Sequence, residues 1–108
     1  MSVLLRLLDV RPGSSEESWI GPASGPEGKR SFGGQFMAQT LAAAARTVEP
    51  AKLPTSMHLQ FLRGGEAGEN VEYTVQRVFD GRTASARRVE SRQAGRLMTA
   101  ASVSFSLP

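Results

Sequence analysis

SFGGQFMAQTLAAAARTV, residues 31–48, is the stretch on which the fold turns. Its alanines, together with Phe36, Met37 and Leu41, favour a helix from Gly33 to Val48. Between Phe36 and Ala45 there is no formal charge, so the helix has no broad polar face to leave in water and is expected to be buried. Gly33 and Gly34 let other backbone approach the helix start, where the first amides have no partner inside the helix and attract negative charge. In a small domain, burying such a helix requires other elements to wrap around it.

Those elements follow. Glu49-Pro50 ends helicity, because the residue before a proline is pushed out of the helical region. From Thr55 to Arg63 the residues alternate, with Met57, Leu59 and Phe61 on one side and Ser56, His58 and Gln60 on the other, which predicts a strand with one buried face. The glycine-rich interval Gly64 to Asn70 leads to a second strand, Val71 to Phe79, with Val71, Tyr73, Val75 and Phe79 on its apolar face. Asp80-Gly81 reads as a two-residue hairpin turn into a strand over Thr83 to Gln93, and Ala94-Gly95 as a turn into a last strand over Arg96 to Leu107. The expectation is a four-stranded meander.

Working back from the helix, Gly13 to Arg30 is polar and turn-rich, with Ser18-Trp19-Ile20 as an apolar island that reads as a short edge strand. Pro22, Pro26 and Gly28 mark a loop leading into the helix. Leu4, Leu5, Leu7, Leu8 and Val10 fit a short amphipathic helix over Ser2 to Val10, stopped at Arg11-Pro12-Gly13. One long helix and an antiparallel meander make an α+β layout, with the whole of 1–108 as a single domain and the helix packed on one sheet face.

Composition limits the chemistry. A chain of 108 residues that is 40% hydrophobic suits one small domain, and partnership with a second copy suits its limited core. No cysteine is present and there is one histidine, so disulfides, thiolate-bound metal and a His-rich metal site are not expected. No run approaches the ~20 apolar residues of a membrane span, and no signal peptide is recognisable at the amino end, so the default compartment is the cytoplasm. The net charge of +3 is concentrated: six arginines fall between Arg77 and Arg96 against Asp80 and Glu90 alone. That basic stretch suits a solvated face or a phosphorylated small molecule. It has neither interleaved aromatics nor a groove-reading motif, which argues against nucleic acid.

SFGGQFMAQTLAAAARTV, LPTSMHLQFLRGG and VQRVFDGRTASARRVESRQAGRLMTAASVSF, in this order and spacing, together resemble the amino-terminal half of the acyl-CoA thioesterase II (TesB-type) family. The resemblance runs from about Trp19 to Phe105. It implies a hot-dog fold, in which a curved antiparallel sheet wraps a central helix, and a fatty acyl-CoA substrate, with coenzyme A present only as part of that substrate. It also implies that the family's catalytic aspartate, serine or threonine, and glutamine belong to a second hot-dog domain fused to the first. Arg63-Gly64-Gly65-Glu66 departs from the family's usual Arg-Pro-Gly-Asp at that loop.

Thioester hydrolysis needs donors for a developing oxyanion and a group that activates water. The helix start offers free amides at Gly33 and Gly34 beside the Gln35 side chain, and Gln39, one turn on, extends a polar strip. No carboxylate lies between Lys29 and Thr47; Glu66, Glu69, Glu72 and Asp80 are available but fall in turns or on an alternating strand, where solvated charge is the usual role, and His58 is the candidate base, with Ser56 on its strand face. For the phosphates of coenzyme A, arginine's planar fork is suited, and Arg63, Arg87 and Arg88 are the candidates. In a regular strand Arg87 and Arg88 point to opposite faces, so one of the two lines a given groove. Two assemblies follow: a homodimer that hydrolyses acyl-CoA itself, or a binding half that works with a separate catalytic partner chain.

Overall fold

A computed structural model describes residues 10–13, 17–21, 33–63 and 70–108. The helix expected from Ser2 lies, apart from Val10, outside the described residues, as do the loop through Pro22 and Pro26 and the Gly64–Glu66 departure. Strands β1 (Arg11–Pro12) and β2 (Ser18–Gly21) precede helix α1 (Gly33–Ala45), which is followed by β3 (Leu53–Phe61), β4 (Val71–Asp80), β5 (Ala84–Gln93) and β6 (Arg96–Ser106). They form one antiparallel sheet in the order β1-β2-β4-β5-β6-β3.

The order corrects the four-stranded meander. Of those four strands, β4, β5 and β6 pair in sequence order, but β3 pairs with β6 at the far edge, Met57 opposite Val103 and Phe61 opposite Thr99. The Trp19 strand is also not outermost, because β1 pairs beyond it. Ala94 and Gly95, with φ of 50° and 78°, make the tight turn between β5 and β6 in the primed form that matches strand twist. The Asp80-Gly81 turn is wider than two residues: Asp80 pairs with Ser85, and the Gly81 N–H donates to the Ala84 carbonyl at 2.8 Å.

Two irregularities move side chains off the faces their parity predicts. Past Arg77 a bulge puts Phe79 opposite Ala86, so Phe79 leaves the face of Val71, Tyr73 and Val75 and stands 57% exposed. A second bulge, where Arg92 pairs with Leu97, buries Met98 although simple alternation turns it outward.

Helix α1 crosses the inner face of the sheet and touches β2 through β6. At its start Phe36 meets Phe61 of β3 edge-to-face at 6.4 Å, and beyond its end Arg46 lies 5.7 Å over the Trp19 ring of β2. Between them Phe36, Ala43, Ala44, Val71, Tyr73, Val75, Val89, Val103 and Phe105 form the core. The helix is not enclosed: Met37 is 44% exposed, because a single sheet covers one side of a cylinder. Nor is β3 a half-buried strand, since Met57 and Leu59 are partly covered while Leu53 and Phe61 stay about half exposed.

α1 ends at Ala45 rather than Val48. The Arg46 N–H is shared between the Ala42 and Ala43 carbonyls, and the Thr47 and Val48 N–H groups bond three residues back, which tightens the last turn. There Arg87 takes over. Its side chain is fully buried, donating from Nε to Thr47 Oγ1 (2.7 Å), from Nη2 to the Thr47 carbonyl (2.9 Å) and Asp80 Oδ1 (2.8 Å), and from Nη1 to the Phe79 and Ala86 carbonyls. A cation at a helix C-terminus also opposes the negative end of the helix dipole. Lys52, also buried, donates to the Gly81 carbonyl (2.6 Å) and Ser85 Oγ (3.0 Å), and Ser85 in turn donates to Asp80 (2.8 Å).

Replacing Arg87 by Met strands the buried Thr47 acceptors and removes the partner of the solvent-reachable Asp80, and a lowered urea midpoint is the expected outcome. Hydrogen bonds from Arg87 and then Ser85 hold the Asp80 carboxyl below its ordinary value of 3.8. Stability from this carboxylate is therefore complete above that value and is lost as pH falls through the lowered one. Urea midpoints should drop more steeply in acid for the wild type than for Asp80→Asn; parallel curves would remove Asp80 from the acid response.

Candidate functional site

The two sheet faces divide the polar residues. On the inner face, below the first half of α1, Tyr73, Ser91 and Thr99 stand in one cross-strand row with Phe61 at its end. The Tyr73 hydroxyl donates to Gln39 Oε1 at 2.6 Å, and the Ser91 and Thr99 hydroxyls bond each other. Gln35, Gln39 and Gln93 are buried in the same interior. Burial pushes the Tyr73 phenol far above its ordinary value, so it remains a neutral donor. Gly21 of β2 backs onto Gln39: a Cβ there would lie 2.6 Å from the Gln39 amide. Gly33 and Gly34 form the first turn of α1, two residues before the buried Gln35.

The outer face carries His58 and Arg88. Ser102 of β6 is opposite His58 on one side and Arg88 on the other, and the three line an open pocket of ≈130 Å³ with Gln60, Ala100 and Ala101. Arg63 follows β3, exposed, its N–H reaching the Met98 carbonyl at 3.3 Å.

The structure thus gathers the proposed polar residues into two groups rather than one. Gln35 and Gln39 share the interior near the helix start, while His58 and Arg88 lie on the far side of the sheet. Arg87 and Arg88 do point to opposite faces, and the inward one, Arg87, is occupied by acceptors of its own chain. Tyr73, Lys52 and Ser102 escaped the sequence reading. Tyr73 looks like one more apolar strand residue until Gln39 is placed above it, and Ser102 matters only through the β3–β6 register. Among the described residues no group of three or more His, Cys, Asp or Glu side chains is placed to hold a metal, and no helix is long and apolar enough to cross a membrane.

A curved antiparallel sheet around one central helix is a hot-dog domain. Residues 21–106 match the acyl-CoA thioesterase N-terminal domain, and the chain belongs to that family. It is 30% identical over 104 residues to the peroxisomal acyl-coenzyme A thioester hydrolase 1 of Saccharomyces cerevisiae, covering 96% of this chain and 30% of the yeast protein. Among solved structures, the TesB protein of Mycobacterium avium subsp. paratuberculosis is similar at 33% identity and a TM-score of 0.88, over 96% of this chain and 42% of that one. The acyl-CoA thioesterase II TesB2 of Mycobacterium marinum is similar at 30% identity and a TM-score of 0.87, over 99% and 39%. The chain spans about a third or less of the length of the curated relatives it matches.

Tyr73 is the one tyrosine of the chain, so phenolate absorbance reports it alone. The native protein should show none as pH passes 10, the ordinary value, until it unfolds. Because the unfolded chain ionises first, stability should fall above that pH in the wild type and not in Tyr73→Phe. A native phenol titrating at its ordinary value would contradict the buried bond to Gln39.

Proposed function

We propose that this chain is a hot-dog domain of an acyl-CoA thioesterase and that it works against a second such domain, in the simplest case another copy of itself, to hydrolyse a fatty acyl-CoA to free acid and coenzyme A. The observation that carries the reading is the family match across residues 21–106. The β3 edge supports the pairing: nine residues of strand have no neighbour among the described residues on their outer side, and Leu53 and Phe61 stand about half exposed there. In this reading the amides of Gly33 and Gly34 and the neighbouring Gln35 polarise the thioester carbonyl, and the acyl chain lies between the two domains.

A second reading has one observation in its favour. Of the described carboxylates, Glu17 is held by Arg77, Asp80 by Arg87, Glu72 and Glu90 alternate with inward residues and so face outward, and Glu49 lies past the far end of the helix. None stands beside Gln35. In that case the chain binds acyl-CoA and a separate partner supplies the group that activates water.

Coenzyme A release from a panel of acyl-CoAs by the lone chain, with sedimentation in the same buffer, separates the two. Turnover by a dimer, abolished in Gln35→Ala, supports self-sufficiency; a folded dimer that binds without turnover favours the partner-dependent half. Leu53→Glu, at an exposed edge position, should weaken the dimer by at least about tenfold and reduce any turnover with it. An unchanged sedimentation profile would remove β3 from the interface.

A further inference from the structure

We propose that the outer face of the sheet carries a phosphate-ester site built by His58, Gln60, Arg88 and Ser102. Residues directly opposite in antiparallel strands share a face, so the register aligns His58, Ser102 and Arg88 in one row across β3, β6 and β5. At about 4.8 Å per strand the outer two stand roughly 10 Å apart at their backbones, with the small Ser102 between them. The next position on the same face of β6 is Ala100, opposite Gln60. Two small residues on the middle strand and long ones on either side leave the ≈130 Å³ depression.

Among the described residues, every polar side chain that lines this depression can donate: an imidazole, an amide, a guanidinium and a hydroxyl. The nearest carboxylate in the register is Glu90, opposite Ala100 on β5 at the rim of the depression. Arg88 has one ion pair among the described residues, to Glu90 at 3.8 Å, and Glu90 is drawn the other way by Arg92 at 3.0 Å. The Arg88 fork is half exposed and loosely held, which leaves it able to turn onto two oxygens of an incoming phosphate. Arg87, the neighbouring arginine, has no such freedom. The site lies on the opposite face from Gln35, so it would hold a polar part of a ligand and not the reacting bond. Coenzyme A, with a 3′-phosphate and a diphosphate, has that chemistry, and in this respect the inference rests on the acyl-CoA reading; another phosphate ester would be recognised in the same way.

His58 is the one histidine of the chain, so its imidazole C–H resonances report this pocket without assignment of the rest. Inorganic phosphate, coenzyme A and dephospho-coenzyme A are titrated at constant ionic strength into the wild type and into Arg88→Ala, whose exposed site should tolerate the change. Saturable His58 shifts are expected, with binding weakened at least about tenfold in Arg88→Ala. Tighter binding of coenzyme A than of the dephospho form assigns the 3′-phosphate, and equal binding assigns the diphosphate. A response to inorganic phosphate with none to either coenzyme supports the site with a different phosphate ester as ligand. No saturable shift with any of the three, or identical titrations in wild type and Arg88→Ala, overturns it. Because the readout does not need turnover, a shift without thioester hydrolysis leaves this site standing and counts against the self-sufficient enzyme alone, and hydrolysis without a shift sinks this site alone.

Discussion

A guanidinium without water around it must find its acceptors inside the protein, and the acceptors that Arg87 finds belong to three different parts of the chain. Thr47 brings the end of α1, Asp80 and the Phe79 carbonyl bring the end of β4, and Ala86 belongs to β5 itself. Removing any of these leaves a buried donor unmet, which costs more than the bond contributes when made. The helix end, the hairpin and the sheet are therefore specified together. Lys52, donating to Gly81 and Ser85, ties the segment after the helix to the same hairpin, so that β3 starts from a fixed point.

The other half of the inner face follows a different rule. There the helix meets amides and hydroxyls instead of charge, with Gln39 accepting from Tyr73 and Ser91 bonding Thr99. A neutral, directional interior fixes the rotation of α1 about its axis, which a purely apolar face of alanines would leave loosely determined. It also keeps the interior polar beneath the start of the helix, where Gln35 is buried. The bulges at Arg77/Phe79 and Ser91/Arg92 bend the long strands near their ends, as wrapping around a helix requires.

How much of this could be read from the residues depended on the range of the interaction. The central helix, the strands β4, β5 and β6 and the Ala94-Gly95 turn rest on local patterns, and each formed close to where alternation and turn chemistry put it. That Arg87 and Arg88 face apart is also a local fact. Which of them faces inward is not, because it depends on the phase of the whole strand against the helix. The neighbour of β3 was hidden for the same reason: its side chains alternate equally well beside β4 or beside β6. Phe79 was misplaced by parity, since one extra residue at a bulge reverses everything beyond it. The candidate residues were thus legible as types, and their division between two faces was not.

The two edges of the sheet are physically unequal, and the inequality bears on assembly. At one edge, among the described residues, β1 contributes two residues, one of them a proline, which offers little unpaired backbone to another strand. At the other, β3 offers nine residues with Leu53 and Phe61 about half exposed, and its one charged-capable side chain, His58, stands on the outer face. Isolated sheets protect long edges with lysine, with bulges that twist the edge away, or with a covering segment. β3 has a bulge near its start, between Pro54 and Ser56, and a regular ladder from there to Phe61. In the proposed pairing, a second domain would cover this regular edge with its exposed Leu53 and Phe61, and would have the uncovered Met37 of the helix to pack against.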